Sequence, residues 1–245
     1  MKGYLVRVGI DQAFGRWNAP VDPATNDFVY VPIPQGAPNR PGLSTPYEIV
    51  VPALEAFAAA HPSATPERVK LPTRLSGRNM HLDPDFRHLT YGDNGTRRGR
   101  GLAGLGRGDV VGFYAGLRPV IPCGHRLVYA LIGLYRVAEV VRVESVEESR
   151  WSENAHTRRL VHEGSDVVVR ALPEGSGRLR TCIPIGEYRA GAYRVTAEIL
   201  EAWGGLSCRD GYIQRSAVPP RFLDAERFLA WFEGLGGELI RSNNP

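Results

Sequence analysis

A histidine and two carboxylates lie close together in the segment HLDPD, residues 81–85. Pro84 holds its own φ at about −65° and disfavours helical backbone at Asp83, so Asp83 and Asp85 are expected on a stiffened turn. A carboxylate held in this way can orient or activate water, and the imidazole of His81 can exchange a proton. No apolar periodicity runs through the turn, which favours a surface segment over a core helix or strand. A solvated loop whose aspartates only cap a turn fits the same residues equally well.

Asp11 is a further candidate catalytic carboxylate, because it follows the first predicted strand, and ligands in open α/β sheets bind at strand ends. Amides near it can read the edge of a base, and an aromatic ring can stack on its face. The residues predicted to bind a base are Gln12, Trp17, Asn18 and Tyr91. Two alternatives stay open, with Asp11 as a turn former and Trp17 as a core residue.

The basic residues are almost all arginines, since Lys2 and Lys70 are the only lysines among 30 basic residues, and the net charge is +4. A guanidinium group binds phosphate in a bidentate manner, which favours an anionic partner such as DNA. The predicted phosphate-binding residues are Arg16, Arg87, Arg97, Arg98 and Arg100. A GC-rich genome would produce the same arginine bias, so this charge permits nucleic-acid binding without requiring it.

Spacing of the cysteines and histidines predicts neither a metal nor a cofactor. Cys123, Cys182 and Cys208 form no CxxC motif, and no HxxxH or HExxH pair occurs. A glycine-rich fingerprint for a nucleotide or a methyl donor is absent as well. The two aspartates and the histidine of segment 81–85 nevertheless leave a metal site open.

The location of the protein is predicted from the same cysteines and from the apolar runs. Scattered free thiols are typical of a reducing cytoplasm. Arg7 interrupts the apolar run at the N-terminus, which indicates a strand rather than a signal peptide. No run is long enough to span a bilayer. We expect a cytoplasmic protein without membrane contact and without an obligate protein partner.

Strand and helix signals alternate along the chain. Strands are predicted at 4–10, 28–33, 110–118, 126–143, 166–172 and 179–185, and helices at 46–60, 143–152, 192–203 and 224–235. Residues 151–159, WSENAHTRR, form a second polar and aromatic cluster, which would either close over the site or begin an exposed helix. With 43% hydrophobic residues and no repeat or linker, the chain predicts one mixed α/β (α+β) domain, residues 1–245. Its central sheet is expected to be mixed, partly antiparallel and curved, with flanking helices.

Several short motifs together resemble the nucleotide modification associated domain 3 family. They are RVGID at 7–11, VYVPIP at 29–34, HLDPD at 81–85, GDVVGFYAGLR at 108–118, TCIPIGE at 181–187 and IQRS at 213–216. The strands at 108–118 and 133–137 are also similar, more weakly, to the core of PUA-like domains. Those domains hold a flipped base in a curved sheet.

The resemblance implies a modified nucleic acid as ligand, because the family is associated by gene neighbourhood with base modification and conflict with phages. An enzyme that removes a base must take it out of the stack and stabilise an oxocarbenium-like sugar. We therefore interpret the chain as a DNA glycosylase acting on a bulky or sugar-decorated base of phage DNA. Its catalytic residues would be Asp11, His81, Asp83 and Asp85. A non-catalytic reader of the modified base, or an enzyme that installs or tailors the modification, stays as an alternative.

Overall fold

The computed structural model describes residues 1–96, 99–215 and 218–244. Their strands are, in chain order, β1 (Gly3–Arg7), β2 (Pro20–Val21), β3 (Ile33–Pro34), β4 (Met80–His81), β5 (Thr90–Asp93), β6 (Val110–Pro119), β7 (Val128–Arg142), β8 (Val167–Ala171), β9 (Gly177–Pro184), β10 (Gly186–Arg189), β11 (Ala192–Val195) and β12 (Leu239–Ile240). The α-helices are α1 (Val51–Ala60), α2 (Pro66–Val69), α3 (Arg100–Ala103), α4 (Ala197–Ala202) and α5 (Ala225–Gly234). None of these helices is both long and apolar enough to cross a membrane.

One eight-stranded mixed sheet forms the centre of the molecule, with the order β1-β6-β7-β8-β5. Strand β2 pairs with β6, β9 pairs with β7, and β12 pairs with β9. Strands β6 and β7 are antiparallel, whereas β1 runs parallel to β6. Register shifts interrupt the pairing of β7 with each of its neighbours, and irregularities of this kind bend strands. The predicted mixed α/β fold is confirmed.

Alternate side chains of β6 enter different apolar cores, as expected from the period of two along a strand. Val111 and Phe113 belong to one core, and Val110 and Tyr114 belong to the other. Helix α5 covers the second core, where the Phe228 ring is buried. The predicted cap of this helix is confirmed, because the Asp224 side chain accepts the N–H of Arg227 at 2.9 Å.

Three predicted elements are wrong. Segment 28–33 is buried but mostly irregular, because Pro32 and Pro34 cannot donate to a ladder. The predicted helix 192–203 begins as strand β11, and α4 starts only after Thr196, whose side chain accepts the N–H of Ile199. Tyr193 of β11 stacks on Tyr129 of the sheet, and this packing outweighs helix propensity. The predicted helix 143–152 consists of short 3₁₀ segments at Val143–Ser145 and Glu148–Glu153.

The acidic turn at 81–86 is buried throughout, so its prediction as a surface segment is wrong. The Phe86 ring packs edge to face against Tyr30 and Tyr135. Their hydroxyl groups donate to backbone carbonyls of the turn, Tyr30 to Pro84 and Tyr135 to Asp85, each at 3.0 Å. The turn is thus anchored by contacts from distant parts of the chain, which local periodicity does not reveal.

The Asp85 carboxylate is surrounded by donors from three parts of the chain. It accepts from Arg158 Nη2 at 2.7 Å, His88 Nδ1 at 3.0 Å and Asn243 Nδ2 at 3.1 Å. The backbone N–H groups of Arg87 and His88 also donate to it. Burial would raise the pKa of Asp85, but the hydrogen bond from His88 and the charges of Arg158 and His88 hold it below its ordinary value. Asp85 therefore stabilises the fold.

We expect Asp85→Asn to lower the free energy of unfolding by about 3–5 kcal/mol, because it leaves the buried Arg158 guanidinium without its counter-charge. Urea unfolding followed by circular dichroism measures this change. The matched control is Asp210→Asn, which breaks an exposed ion pair with Arg189 and should shift the midpoint far less. Equal midpoints for the two variants would contradict a stabilising role for Asp85.

Candidate active site

A single large groove of about 1810 Å³ collects side chains from several strand ends and loops. Its walls include residues that follow β1, residues of β5, the end of β6, residues 121–127 before β7, and residues of β10 and β11. Sites for small molecules usually enclose about 300–1,000 Å³, so this groove has room for a larger ligand.

Three ionisable side chains meet in this groove, namely His81, Asp83 and His156. His81 Nε2 and His156 Nε2 each lie 3.9 Å from Asp83 Oδ2. The two imidazole rings are 5.0 Å apart, edge to face. All three residues are buried. We refer to these three residues as the His–Asp cluster.

Each ring of the His–Asp cluster is oriented through its other nitrogen. His81 Nδ1 lies 2.7 Å from Gln35 Oε1, and His156 Nδ1 lies 3.3 Å from Asp166 Oδ2. Since a carbonyl or carboxylate oxygen can only accept, both Nδ1 atoms carry the proton. In a neutral ring the lone pair is then on Nε2, the nitrogen that lies 3.9 Å from Asp83 Oδ2.

Asp83 is held through one oxygen and left open at the other. Its Oδ1 accepts from the N–H of Gly92 and from Asn154 Nδ2, each at 2.8 Å. Burial raises the pKa of Asp83 to about 7, although His156 and these hydrogen bonds oppose the shift. Burial, together with His156 and Arg159, holds the pKa of His81 well below its ordinary value. Strongly shifted pKa values of this kind are typical of functional sites.

Gly92 permits the close approach of His156 to strand β5. A Cβ atom at this position would overlap the ring of His156 and the side chain of Asn154. Only a residue without a side chain therefore lets β5 run beside the His–Asp cluster.

Sequence reasoning named His81 and Asp83 but missed His156. His156 lies in the predicted second cluster 151–159, and its N–H donates to Asn154 Oδ1 at 2.8 Å. The structure brings this segment against the acidic turn, so it does close on the site. The proximity of His156 to His81 depends on tertiary contacts. Because the chain has six histidines, the sequence alone does not show which of them lies next to His81.

Asp11 lines the same groove but acts locally as a turn former. Its Oδ1 accepts the N–H groups of Ala13 and Phe14, each at 2.7 Å. Its Oδ2 forms an ion pair with Arg7 at 2.8 Å. Both oxygens are thus engaged, which favours the structural alternative for this aspartate.

The four predicted base-binding residues have different locations. Gln12 and Asn18 line the groove and are joined by a hydrogen bond of 2.9 Å. Tyr91 also lines it, with its hydroxyl 3.4 Å from Asp93 Oδ2. Trp17 is only 4% exposed and belongs to an apolar core, so the predicted stacking role is not compatible with its position.

Three of the five predicted phosphate-binding arginines do not line the groove. Arg16, Arg87 and Arg100 are exposed on other surfaces, and Arg97 and Arg98 lie outside the described residues. Asp85, a predicted catalytic residue, also lies away from the groove lining. Other arginines give the groove its positive charge. Among the described residues that line it, they are Arg7, Arg68, Arg118, Arg126, Arg159 and Arg215. They come from scattered parts of the chain, so no local motif marks them.

Three tyrosines form an aromatic wall of the groove, and sequence reasoning missed them. Tyr129 and Tyr193 stack at 4.3 Å between ring centroids, and Tyr188 packs edge to face on Tyr193 at 5.2 Å. The Tyr188 side chain is 63% exposed. We call Tyr129, Tyr188 and Tyr193 the tyrosine wall.

Comparison with known proteins places the chain in a family. A family model described as nucleotide modification associated domain 3 matches residues 2–204. No curated protein and no solved structure matches the chain. Since the family match covers most of the sequence, the chain belongs to the nucleotide modification associated domain 3 family.

Proposed function

We propose that the protein is an enzyme that acts on a modified base in DNA and hydrolyses its N-glycosidic bond. The observation that carries this proposal is the His–Asp cluster, which opens onto the same groove as the arginines and the tyrosine wall. The family's name supports a link with nucleotide modification. The family's association with phage conflict supports phage DNA, with a bulky or sugar-decorated base, as the substrate.

The charge and shape of the groove support DNA as the ligand. Arg118, Arg126 and Arg215 suit a phosphate backbone, because guanidinium groups pair with phosphate oxygens in a bidentate manner. Arg7 and Arg159 of the same groove already pair with Asp11 and Asp166. The exposed ring of Tyr188 offers a face on which an extruded base can stack. A target base must leave the duplex before an enzyme can reach its sugar bond, and the large groove volume accommodates it.

The His–Asp cluster supplies groups for hydrolysis. In the reaction a water oxygen attacks C1′ of the sugar, the C1′–N bond breaks, and the base leaves with a proton. Asp83 Oδ2, left open between two imidazoles, can orient that water and offset the positive charge that develops on the sugar. Asp85 has no part in this proposal because its oxygens are occupied by donors that stabilise the fold.

A non-catalytic reader is the second candidate, and the tyrosine wall favours it, since stacking alone is enough to hold a flipped base. Binding by itself, however, does not require a buried aspartate between two histidines. Burying such groups disfavours the folded state unless they are used or compensated.

We expect Tyr188→Ala to weaken binding of modified DNA by about 5- to 100-fold, which corresponds to the loss of one stacked base. Tyr188→Phe keeps the ring and should bind like the wild type. Fluorescence anisotropy with a labelled duplex measures both affinities. If Tyr188→Ala binds as tightly as Tyr188→Phe, the tyrosine wall does not contact the base.

We expect the double variant Arg118→Ala/Arg126→Ala to weaken binding to modified and unmodified DNA alike. Each lost phosphate contact should reduce the slope of log K against log salt by about 0.9. The matched control, Arg16→Ala/Arg87→Ala, removes two exposed arginines outside the groove. A larger loss in the control pair would place the DNA on another surface.

We expect the wild type to release the base from DNA that carries a sugar-decorated base, so that mild alkali then breaks the strand at those positions. Asp83→Asn should lower this rate by about a hundredfold or more, because it removes the charge that orients water. Glu163→Gln, an exposed acid at the groove edge, is the control and should cleave normally. If the wild type binds this DNA tightly without any strand break, the protein is a non-catalytic reader and not a glycosylase.

A further inference from the structure

We propose that His81 Nε2, Asp83 Oδ2 and His156 Nε2 bind one divalent transition-metal ion. The three ligand atoms lie within 4.8 Å of one another and come from two segments of the chain, the acidic turn at 81–86 and segment 151–159. The inference concerns the groups themselves and does not depend on which bond in DNA is cleaved. The sequence predicted no metal but left a metal site open at segment 81–85.

Three atoms that can accept a hydrogen bond, His81 Nε2, His156 Nε2 and Asp83 Oδ2, lie close together without a shared donor from the described residues. Both distances to Asp83 Oδ2 are 3.9 Å, which is too long for a hydrogen bond. Among the described residues, no hydrogen bond ends on either Nε2 atom or on Asp83 Oδ2. The orientation of Gln35 is fixed because its Nε2 donates to Asn39 Oδ1, so its Oε1 accepts from His81 Nδ1. Two lone pairs and a carboxylate oxygen therefore face one point, and a cation satisfies all three.

The hydrogen-bond partners of the two histidines also fit a metal site. A histidine that binds a metal usually donates its other N–H to a carboxylate or a carbonyl oxygen, which fixes the ring and makes it more basic. His156 does so to Asp166, and His81 does so to Gln35. Asp166 is held in turn by Arg159 Nη1 at 3.4 Å.

The ligand set indicates the class of metal. Two imidazoles and one carboxylate suit first-row ions such as Zn²⁺ or Fe²⁺, whereas Mg²⁺ prefers oxygen ligands and retains its water. Metal–ligand bonds of about 2.0–2.2 Å in a tetrahedral site place neighbouring ligand atoms roughly 3.4 Å apart. The observed 3.9 Å from each imidazole nitrogen to Asp83 Oδ2 needs only a small contraction, and all three ligand atoms lie within 4.8 Å of one another.

Three protein ligands leave at least one coordination position open. That position faces the groove, since all three ligands line it. A water bound there would lose a proton far more readily than bulk water does. The metal would thus provide the hydroxide that the proposed hydrolysis uses, and this last step alone rests on the proposed function.

Metal binding is measured on the full chain without DNA, so its outcome is separate from that of the cleavage assay. After treatment with chelator and its removal, the protein is titrated with Zn²⁺ by calorimetry and with Co²⁺ by visible absorption. We expect one equivalent of each to bind, with Co²⁺ bands typical of nitrogen and oxygen ligands, and no binding of Mg²⁺. The proposal is overturned if wild-type protein binds neither Zn²⁺ nor Co²⁺.

Variants locate the ion. His156→Ala and Asp83→Asn should lose the bound equivalent, and Asp166→Asn should keep it with about 10- to 100-fold weaker affinity. The control is His125→Ala, an exposed histidine on the groove wall outside the His–Asp cluster, which should bind like the wild type. Near-ultraviolet circular dichroism checks that each variant is folded. If the ligand variants fail to fold, the affinity of Asp166→Asn, which changes no ligand, decides whether the ion binds at the His–Asp cluster. Unchanged affinity in Asp166→Asn, or loss of the ion in His125→Ala, would contradict the site.

Discussion

The ion pair between Asp85 and Arg158 is the contact on which the site depends. It joins the acidic turn to segment 151–159. Asn243, near residue 245, also donates a hydrogen bond to the Asp85 carboxylate. His156 lies two residues before Arg158, so the pair holds the segment that carries His156 against the acidic turn. A buried pair of this kind contributes little net stability over apolar residues, but losing one partner is costly, which makes the arrangement specific.

Two aspartates separated by a single proline have opposite environments. Asp85 accepts five hydrogen bonds, and its pKa is lowered because these bonds and the charges of Arg158 and His88 outweigh burial. Asp83 has donors on one oxygen only, and burial raises its pKa to about 7. One carboxylate therefore holds the fold together, and the other is left available for chemistry. Sequence spacing treats them as equivalent, since it contains no information about donors from elsewhere.

The groove combines features that serve binding with features that serve reaction. Its arginines and the tyrosine wall suit a nucleic acid, and the His–Asp cluster provides groups that can hold a water or a metal ion. Gly92 keeps β5 close enough to His156 for these groups to meet. Membership of a family named for nucleotide modification agrees with a nucleic-acid ligand.

The sequence by itself determined the mixed α/β class, the long β6–β7 pair and the capped helix α5, and it predicted segment 81–85 as a candidate site. These follow from local signals, namely strand periodicity, an N-cap aspartate and short motifs. Only the tertiary structure decided that the acidic turn is buried, that Trp17 is a core residue and that His156 meets His81 and Asp83. The arginines and tyrosines that line the groove likewise could not be predicted from the sequence. Their positions depend on contacts between residues far apart in the chain, and a single sequence does not specify which distant side chains will meet.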